Sequence, residues 1–188
     1  MKINTPLPYA HAGYRVRHWR RLLASALILG LWLAMPVHQV RAQAPRLLGK
    51  YGDWAAHKID SSRGDVCYVM SEAKAKSPSN LDHGEVYLMV SRRPKENIKG
   101  EVMLRVGYRL KNGSSVKASV GKLTINMYTR EDGAWLRDAD DDAKLVKAMR
   151  GGKEITLKGT SLRGNQTSYR FSLNGISAGL DATAGACK

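Results

Sequence analysis

Short segments of alternating apolar and polar residues dominate the chain after its N-terminal region. In the segment EVMLRVGYRL, residues 101–110, the alternate positions from Val102 to Leu110 are apolar, and Arg105 and Arg109 lie between them. Because successive side chains of a β-strand point to opposite faces, this pattern predicts an antiparallel strand with one buried face.

Other strands are predicted on either side of this segment. Asn112 and Gly113 separate it from residues 116–128, and Asn-Gly is a strong hairpin signal, so we expect two adjacent strands of one sheet. Gly121 interrupts the alternation within 116–128, which predicts a β-bulge. Five more strands are predicted at residues 51–59, 65–73, 85–93, 154–161 and 167–173.

Helical periodicity occurs in only two segments, DADDDAKLVKAMRGG and NGISAGLDATAGA. The first begins with acidic residues, which suit the positive end of a helix, and stops at its glycines. Short strands separated by turn clusters are typical of all-β domains. The sequence therefore predicts a mainly β fold, an antiparallel β-sandwich or open barrel with one or two short helices. We expect Trp54, Trp135 and Tyr68 in its core.

The first 44 residues have the organisation of a signal peptide. Five basic residues and no acidic ones precede an apolar run from Leu22 to Met35. This run has 14 residues, fewer than the roughly 20 needed to span a bilayer. Small residues follow it, and we expect cleavage after Ala42 or Ala44.

The remaining chain, residues 45–188, has the length of one domain, and we expect a single β domain there without a transmembrane segment. It holds 25 Lys and Arg residues against 16 Asp and Glu, a net charge of about +9. Arg20 and Arg21 leave open both the general secretory and the twin-arginine export routes. The expected location is the periplasm, the outer envelope or the exterior of the cell.

The chain contains two cysteines, Cys67 and Cys187. In an oxidising compartment thiols pair unless a catalyst keeps them reduced. A redox-active thiol would be expected in a C-x-x-C motif or beside a base, and neither pattern is present. The sequence therefore predicts a Cys67–Cys187 disulfide that holds the C-terminal segment against an early strand.

The motifs of catalytic and metal sites are not matched by this sequence. The run DADDD lacks the glycine and the final glutamate of a calcium loop. His57 and His83 lack a neighbouring second ligand, and the residues around Ser161 lack the pattern of a nucleophile elbow. We therefore predict a non-enzymatic protein with no catalytic residue, no metal site and no cofactor.

Basic residues are concentrated in the predicted strands around residues 92–117. If these strands share a sheet, the charges form one patch suited to anionic lipid headgroups, envelope polysaccharide or an acidic protein partner. The alternative is a solvated face, neutralised in part by Glu96 and Glu101. Nucleic acid is not expected as a partner, because the chain is exported and lacks a recognition helix. The candidate residues are Arg92, Arg93, Lys95, Lys99, Arg105, Arg109 and Lys117.

Six segments are specific when their order and spacing are taken together: YGDW, VCYVMSEAKAKSP, VYLMVSRRP, GAWL, LVKAMRGG and SLRGNQTSYRFSLNGISAGL, followed by a terminal cysteine. In this order they resemble the invasion-associated locus B family of exported bacterial proteins, nearly from end to end of residues 45–188. The resemblance implies a mostly antiparallel β domain in the periplasm or outer envelope, linked in the founding members to entry into host cells. It implies no catalytic residues.

These observations predict a non-enzymatic periplasmic or outer-envelope protein with a binding or structural role, contributing to host-cell invasion. The alternative is an envelope carrier that binds an apolar or anionic small ligand in a β-barrel cavity lined by the alternating apolar faces. A plain sandwich would instead be filled. Arg163 and Gly164 are predicted to shape the turn before the last strand, or Arg163 to form a buried ion pair with Glu85 or Glu101.

Overall fold

The computed structural model describes residues 44–188, so the predicted signal peptide up to residue 43 lies outside the described residues. The described range contains eleven strands, two α-helices and a 3-10 turn at Pro94–Glu96. The elements are β1 Arg46–Tyr51, β2 Trp54–Ile59, β3 Val66–Glu72, β4 Ala75–Ser77, β5 Tyr87–Arg93, β6 Ile98–Arg105, β7 Ser115–Val120, β8 Leu123–Arg130, β9 Gly133–Trp135, α1 Ala139–Gly151, β10 Glu154–Thr160, β11 Gln166–Ser172 and α2 Ile176–Ala186.

All eleven strands belong to one antiparallel sheet. Their order is β1-β2-β3-β5-β6-β9-β8-β7-β10-β11-β4, so β1 and β4 are its two edges and the sheet is not closed. The mainly β, antiparallel fold with two short helices is therefore confirmed.

The buried face of the sheet follows the period-two pattern of the sequence. In β3, for example, Cys67, Val69 and Ser71 are buried while the residues between them are half-exposed. The indole nitrogen of Trp54 in β2 donates a hydrogen bond to the carbonyl oxygen of Ser172 in β11, at 2.9 Å. The two ends of the strand order therefore meet, and their apolar side chains form one core cluster.

Both predicted helices are present and pack on the buried face of the sheet. Gly179 of α2 lies against Val69 of β3, and Gly152, which follows α1, lies against Val120 of β7. A disulfide joins Cys187, directly after α2, to Cys67 in β3, with their Cα atoms 6.0 Å apart. The predicted pairing of the cysteines is therefore present in the structure.

The predicted hairpin at Asn112 and Gly113 is wrong, although these residues do form a turn with Gly113 at φ +69°. Strand β6 pairs with β5 and β9, whereas β7 pairs with β8 and β10. The chain leaves the sheet after Arg105, and Leu110 forms an isolated bridge with Ser161. The favourable turn at Asn112 and Gly113 therefore does not determine which strands pair. The residues just before it bond to a distant segment instead, as the bridge from Leu110 to Ser161 shows.

Two predicted strands are each split by a turn. Residues 116–128 form β7 and β8, joined at Gly121, whose φ of +55° belongs to a tight turn rather than to a bulge. Residues 51–59 include the end of β1, a turn at Gly52 with φ +56°, and β2. In both cases the glycine adopts the left-handed conformation that reverses the chain.

The prediction of core positions is right for Trp54 and wrong for Trp135 and Tyr68. Trp54 is buried, whereas the other two are half-exposed on the outer face of the sheet. Tyr68 stacks on His57 with ring centroids 5.1 Å apart, and Trp135 stacks on Tyr128 at 5.9 Å. These aromatic side chains pack on one another across strands instead of entering the core.

Candidate functional site

Three loops meet at one end of the sheet. They follow β4 (residues 78–86), β6 (residues 106–114) and β10 (residues 161–165). The loop after β10 is tied to the loop after β6 by a hydrogen bond from the Leu162 amide to the Arg109 carbonyl oxygen, at 2.8 Å. The loop after β4 is tied to it by a bond from the Gly107 amide to the His83 carbonyl oxygen, at 3.1 Å.

Two glycines allow the loops to approach this closely. A Cβ atom on Gly84 would lie 2.9 Å from the Cα atom of Gly107, which is backbone and cannot move aside easily. Gly84 also has a φ of +57°, a conformation that other residues rarely adopt. The contact places the His83 side chain beside the residues that follow β6.

A chain of hydrogen-bonded polar side chains begins at His83, and all of its members except the half-buried Tyr108 are buried. Its Nδ1 lies 2.9 Å from the Tyr169 hydroxyl, and its Nε2 lies 2.8 Å from the Pro78 carbonyl oxygen. The Tyr108 hydroxyl lies 2.6 Å from the Tyr169 hydroxyl and 2.8 Å from Oγ1 of Thr167. Four side chains from three segments, the loops after β4 and β6 and strand β11, are thereby linked, and each hydroxyl has a hydrogen-bond partner.

The hydrogen-bond directions at His83 follow from the Pro78 carbonyl oxygen, which can only accept. Because the Pro78 oxygen has no proton, Nε2 of His83 must donate to it. In the neutral ring Nδ1 then accepts from the Tyr169 hydroxyl. Burial raises the pKa of Tyr169, and its hydrogen bond with Tyr108 raises it further, so Tyr169 stays protonated as this arrangement requires.

A pocket of about 460 Å³ opens above this chain, and we call it the His83 pocket. Its inner wall carries His83 and Tyr108, and two arginines, Arg109 and Arg163, line it from separate loops. Leu162, with 51 % of its surface exposed, contributes an apolar part of the wall. The other lining residues are Leu81, Asp82, Ser161, Asn165 and Thr167.

Within the described part of the chain, the two arginines of the pocket lack the close acidic partners that Arg93 and Arg105 have. Arg109 approaches Glu131 only to 3.9 Å, with both side chains more than half exposed, and such pairs contribute little. Among the described residues Arg163 has no ion pair; it lies in the turn that Gly164 allows with φ +88°. The turn prediction for these two residues is therefore confirmed, and the alternative of a buried Arg163 ion pair is wrong.

Several of the predicted surface arginines are already paired with acids. Arg93 lies 2.9 Å from Glu96 and 3.0 Å from Glu101, with 22 % of its side chain exposed. Arg105 lies 2.8 Å from Asp132. These pairs neutralise part of the predicted positive surface.

The other predicted basic residues are spread over the sheet. Arg92 lies opposite Cys67 and points to the other face from Arg93, while Lys95 and Lys99 are exposed near the 3-10 turn. Lys117 pairs with Lys158 across β7 and β10, three strand positions away from β6. The structure thus distributes the seven residues over more than one place, and their binding of anions stays a prediction.

Sequence reasoning did not identify the His83 pocket. His83 and Tyr108 are 25 residues apart in the chain, and Thr167 is a further 59 residues away, so no local spacing connects them. The available signals were single ones: a histidine within the turn cluster SPSNLDHG, and the Arg163–Gly164 turn. The residues that carry these signals come together in one pocket only because the three loops meet in the folded chain.

Within residues 44–188, neither helix has the length and apolar character needed to cross a membrane. No three or more His, Cys, Asp and Glu side chains of that range are grouped so that they would hold a metal ion. The disulfide is consistent with an oxidising, extracytoplasmic location.

Comparison with known proteins agrees with this fold. The sequence model of the family described as "Invasion associated locus B (IalB) protein" matches residues 54–184. The crystal structure of invasion associated protein B from Bartonella henselae is similar, with a TM-score of 0.52 at 20 % identity, over 77 % of this chain and 98 % of that one. No curated protein matches the chain. Since the family match spans most of the described residues, the chain belongs to the invasion associated locus B family.

Proposed function

We propose that the protein is an exported, non-enzymatic protein of the cell envelope that binds an anionic group of an envelope or host surface in the His83 pocket. Its contribution to invasion is inferred from the family name and from the name of the similar Bartonella protein. The signal-peptide pattern and the disulfide support export.

The observation that carries the proposal is the placement of Arg109 and Arg163. They come from two loops that are hydrogen-bonded to each other, and both line the same pocket. Guanidinium groups bind carboxylate and phosphate through paired hydrogen bonds. Because Arg163 has no acidic partner among the described residues and that of Arg109 is distant, both can turn to a ligand without breaking a strong ion pair.

The rigid inner wall of the pocket supports a binding role. His83, Tyr108 and Tyr169 are fixed by the hydrogen bonds between them, so little conformational freedom is lost when a ligand enters. The exposed Leu162 adds an apolar contact beside the arginines. A group that combines an anion with a small apolar or sugar portion fits this combination.

The small-ligand carrier is the second candidate, and the size of the pocket favours it. A volume of about 460 Å³ lies within the range of about 300–1,000 Å³ that is usual for small-molecule sites. The pocket lies among loops, whereas the apolar faces of the sheet are filled by the core cluster. A carried ligand would therefore be a small anion in the His83 pocket rather than an apolar molecule between the sheet faces.

Sedimentation with lipopolysaccharide and with phosphatidylglycerol vesicles tests the proposal. Protein purified from cells expressing the full chain should co-sediment at low salt with one of these probes, and less so as salt rises. The variant Arg109→Gln/Arg163→Gln should bind about tenfold more weakly, because two charge-assisted hydrogen-bonding groups are lost. Competition by millimolar inorganic phosphate would favour the carrier, since a free anion then suffices.

Arg63→Gln/Arg46→Gln is the matched control, because it removes the same charge at two exposed positions outside the pocket. Binding by the control should equal that of the wild type. Equal weakening of both double variants would show that net charge alone attracts the probe. That result, or the absence of binding at low salt, would contradict the proposal.

A further inference from the structure

The outer face of the sheet carries a row of three methionines. Strand pairing places Met70 of β3 opposite Met89 of β5, and Met89 opposite Met103 of β6. The same line continues to Trp135 in β9 and Tyr128 in β8. We call Met70, Met89 and Met103 the methionine row.

The position of these methionines is unusual for the solvent side of an antiparallel sheet, which is commonly polar. All three are half-exposed, as are Trp135 and Tyr128. The other two methionines of the described residues, Met127 and Met149, are fully buried in the core. Core packing therefore accounts for those two and not for the methionine row.

The register brings three thioether sulphurs within reach of one point. Side chains directly opposite each other on neighbouring antiparallel strands have Cβ atoms about 4.5–5.5 Å apart, and Met89 is in the middle of the row. Methionine is unbranched with three rotatable bonds, so Met70 and Met103 can lean over Met89 from either side. Three sulphurs can then surround a single ion above the middle strand.

Acidic and basic side chains both surround the row. Glu72 and Glu101 are each two residues from a methionine on the same face, as is Arg105. Arg105 is paired with Asp132, and Arg93 with Glu101. Among the described residues neither Glu72 nor Lys50 has an ion pair, and Lys50 lies on the same line as Met70, one strand beyond Ala55. These two charges offset each other, so the thioether ligands and not the surrounding charge select the ion.

We propose that Met70, Met89 and Met103 form a binding site for a soft monovalent metal ion, Cu(I). Neutral thioether ligands select Cu(I) over the harder divalent ions, and no carboxylate or imidazole is needed in the ligand set. The site lies on the sheet face, separate from the His83 pocket. It is independent of the anion-binding function proposed above.

Titration with Cu(I), held reduced by ascorbate and competed with bicinchoninate, tests the site on protein from cells expressing the full chain. Ag(I) serves as a second probe that needs no reductant. We expect one ion per chain, and shifts of the methyl carbon resonances of the three row methionines with Ag(I). Met89→Leu should weaken binding by tenfold or more, because leucine keeps the apolar volume and removes the sulphur.

Met127→Leu is the matched control, since it makes the same exchange in the core, and it should bind both ions like the wild type. Thermal unfolding of each variant verifies that the fold is retained. If a Met89→Leu variant does not fold, Met70→Leu and Met103→Leu test the same ligand set. The proposal is overturned by absence of binding, by unchanged affinity in the row variants, or by an equal loss in Met127→Leu.

Discussion

At the residue scale, Asp142 connects α1 to the sheet through a single hydrogen bond. Its Oδ1 accepts from the backbone amide of Val102 at 2.8 Å. Residues 103–105 of β6 pair with β9, and Val102 lies directly before them. Asp142 therefore accepts the hydrogen bond of an amide at the point where this pairing begins. Burial raises the pKa of Asp142 to about 6, and the nearby Glu101 and Asp141 raise it too, while the Val102 amide opposes the shift.

We expect Asp142→Asn to remove a pH dependence of stability. The folded carboxyl binds its proton more tightly than the unfolded one, whose pKa is 3.8. Its stabilising contribution is therefore complete below about pH 4 and is lost as the pH rises through about 6. Asparagine keeps an acceptor for Val102 without ionising, so the variant should gain stability relative to the wild type between pH 4 and pH 7 in urea unfolding.

Asp140→Asn is the control for Asp142→Asn, because it removes the same charge from an exposed position on the same turn of the helix. The free energy of unfolding of Asp140→Asn should change with pH in the same way as that of the wild type over this range. If the profile of Asp142→Asn also runs parallel to that of the wild type, the effect cannot be assigned to the half-buried Asp142 carboxyl.

At the scale of elements, the contact of two loops at Gly84 and Gly107 sets the position of His83 in the pocket. We expect Gly84→Ala to destabilise the fold by more than Gly113→Ala. Both residues have positive φ, but a Cβ on Gly113 meets nothing within 4 Å, whereas one on Gly84 meets backbone. The left-handed conformation alone costs about 1–2 kcal/mol, and the difference between the variants measures the close approach.

Thermal unfolding and the proton resonances of the His83 ring provide the measurements for the two glycine variants. In Gly84→Ala the ring resonances should shift, because the loop that carries His83 must move. In Gly113→Ala they should remain as in the wild type. Equal destabilisation of the two variants with unchanged resonances would show that the loops do not depend on this contact.

The disulfide also acts at the scale of elements, because it links the end of α2 covalently to β3 across a separation of 120 residues. We expect Cys67→Ala/Cys187→Ala to lower the free energy of unfolding by about 4–5 kcal/mol, because the unfolded chain gains loop entropy. Alanine is preferred to serine because both cysteines are buried. Calorimetry should show a clear fall in Tm.

A reductant supplies the control for the disulfide prediction. It should lower the Tm of the wild type towards that of the double variant and leave the double variant unchanged. An unchanged Tm in the double variant would mean that packing alone holds α2 in place.

The same scale shows what the sequence predicts and what it does not. The sequence predicts both helices and the strands at 65–73, 85–93, 154–161 and 167–173, because burial of one face is a local pattern. It does not predict the strand partners, since the pairing of Lys117 with Lys158 joins segments far apart in the chain. The three-residue strands β4 and β9 are too short to show a period.

Trp135 shows why the outer face was also missed. Ala134, Trp135 and Leu136 are three consecutive apolar residues, so the sequence does not show which of them faces the core. The structure places Trp135 over Gly133 and beside Tyr128, on the half-exposed face. The methionine row is not visible in the sequence either, because its three members become neighbours only through strand register.

At the scale of the whole molecule, export remains the prediction on which the proposed function depends. We expect the full chain, expressed in a bacterium, to be recovered from the periplasmic or extracellular fraction with its N-terminus at residue 43 or 45. The signal-peptide pattern places cleavage after Ala42 or Ala44. N-terminal sequencing and intact mass measure the site, and alkylation without reductant should leave both cysteines unmodified.

Deletion of the apolar run from Leu22 to Met35 is the control for export. The shortened chain should stay in the cytosol, where both thiols are expected to be alkylated. Recovery of the wild-type chain from the cytosol, unprocessed and with reactive thiols, would remove the basis for an envelope role.

The separation of 120 residues between Cys67 and Cys187 sets the order in which the fold is completed. A ribosome adds Cys187 long after Cys67, so β3 is made well before the helix that covers it. Until then Val69 and its neighbours lack their cover on the nascent chain, and Cys67 lacks its native partner. Any intermediate released early by translational arrest would therefore keep an open thiol and an uncovered apolar sheet face.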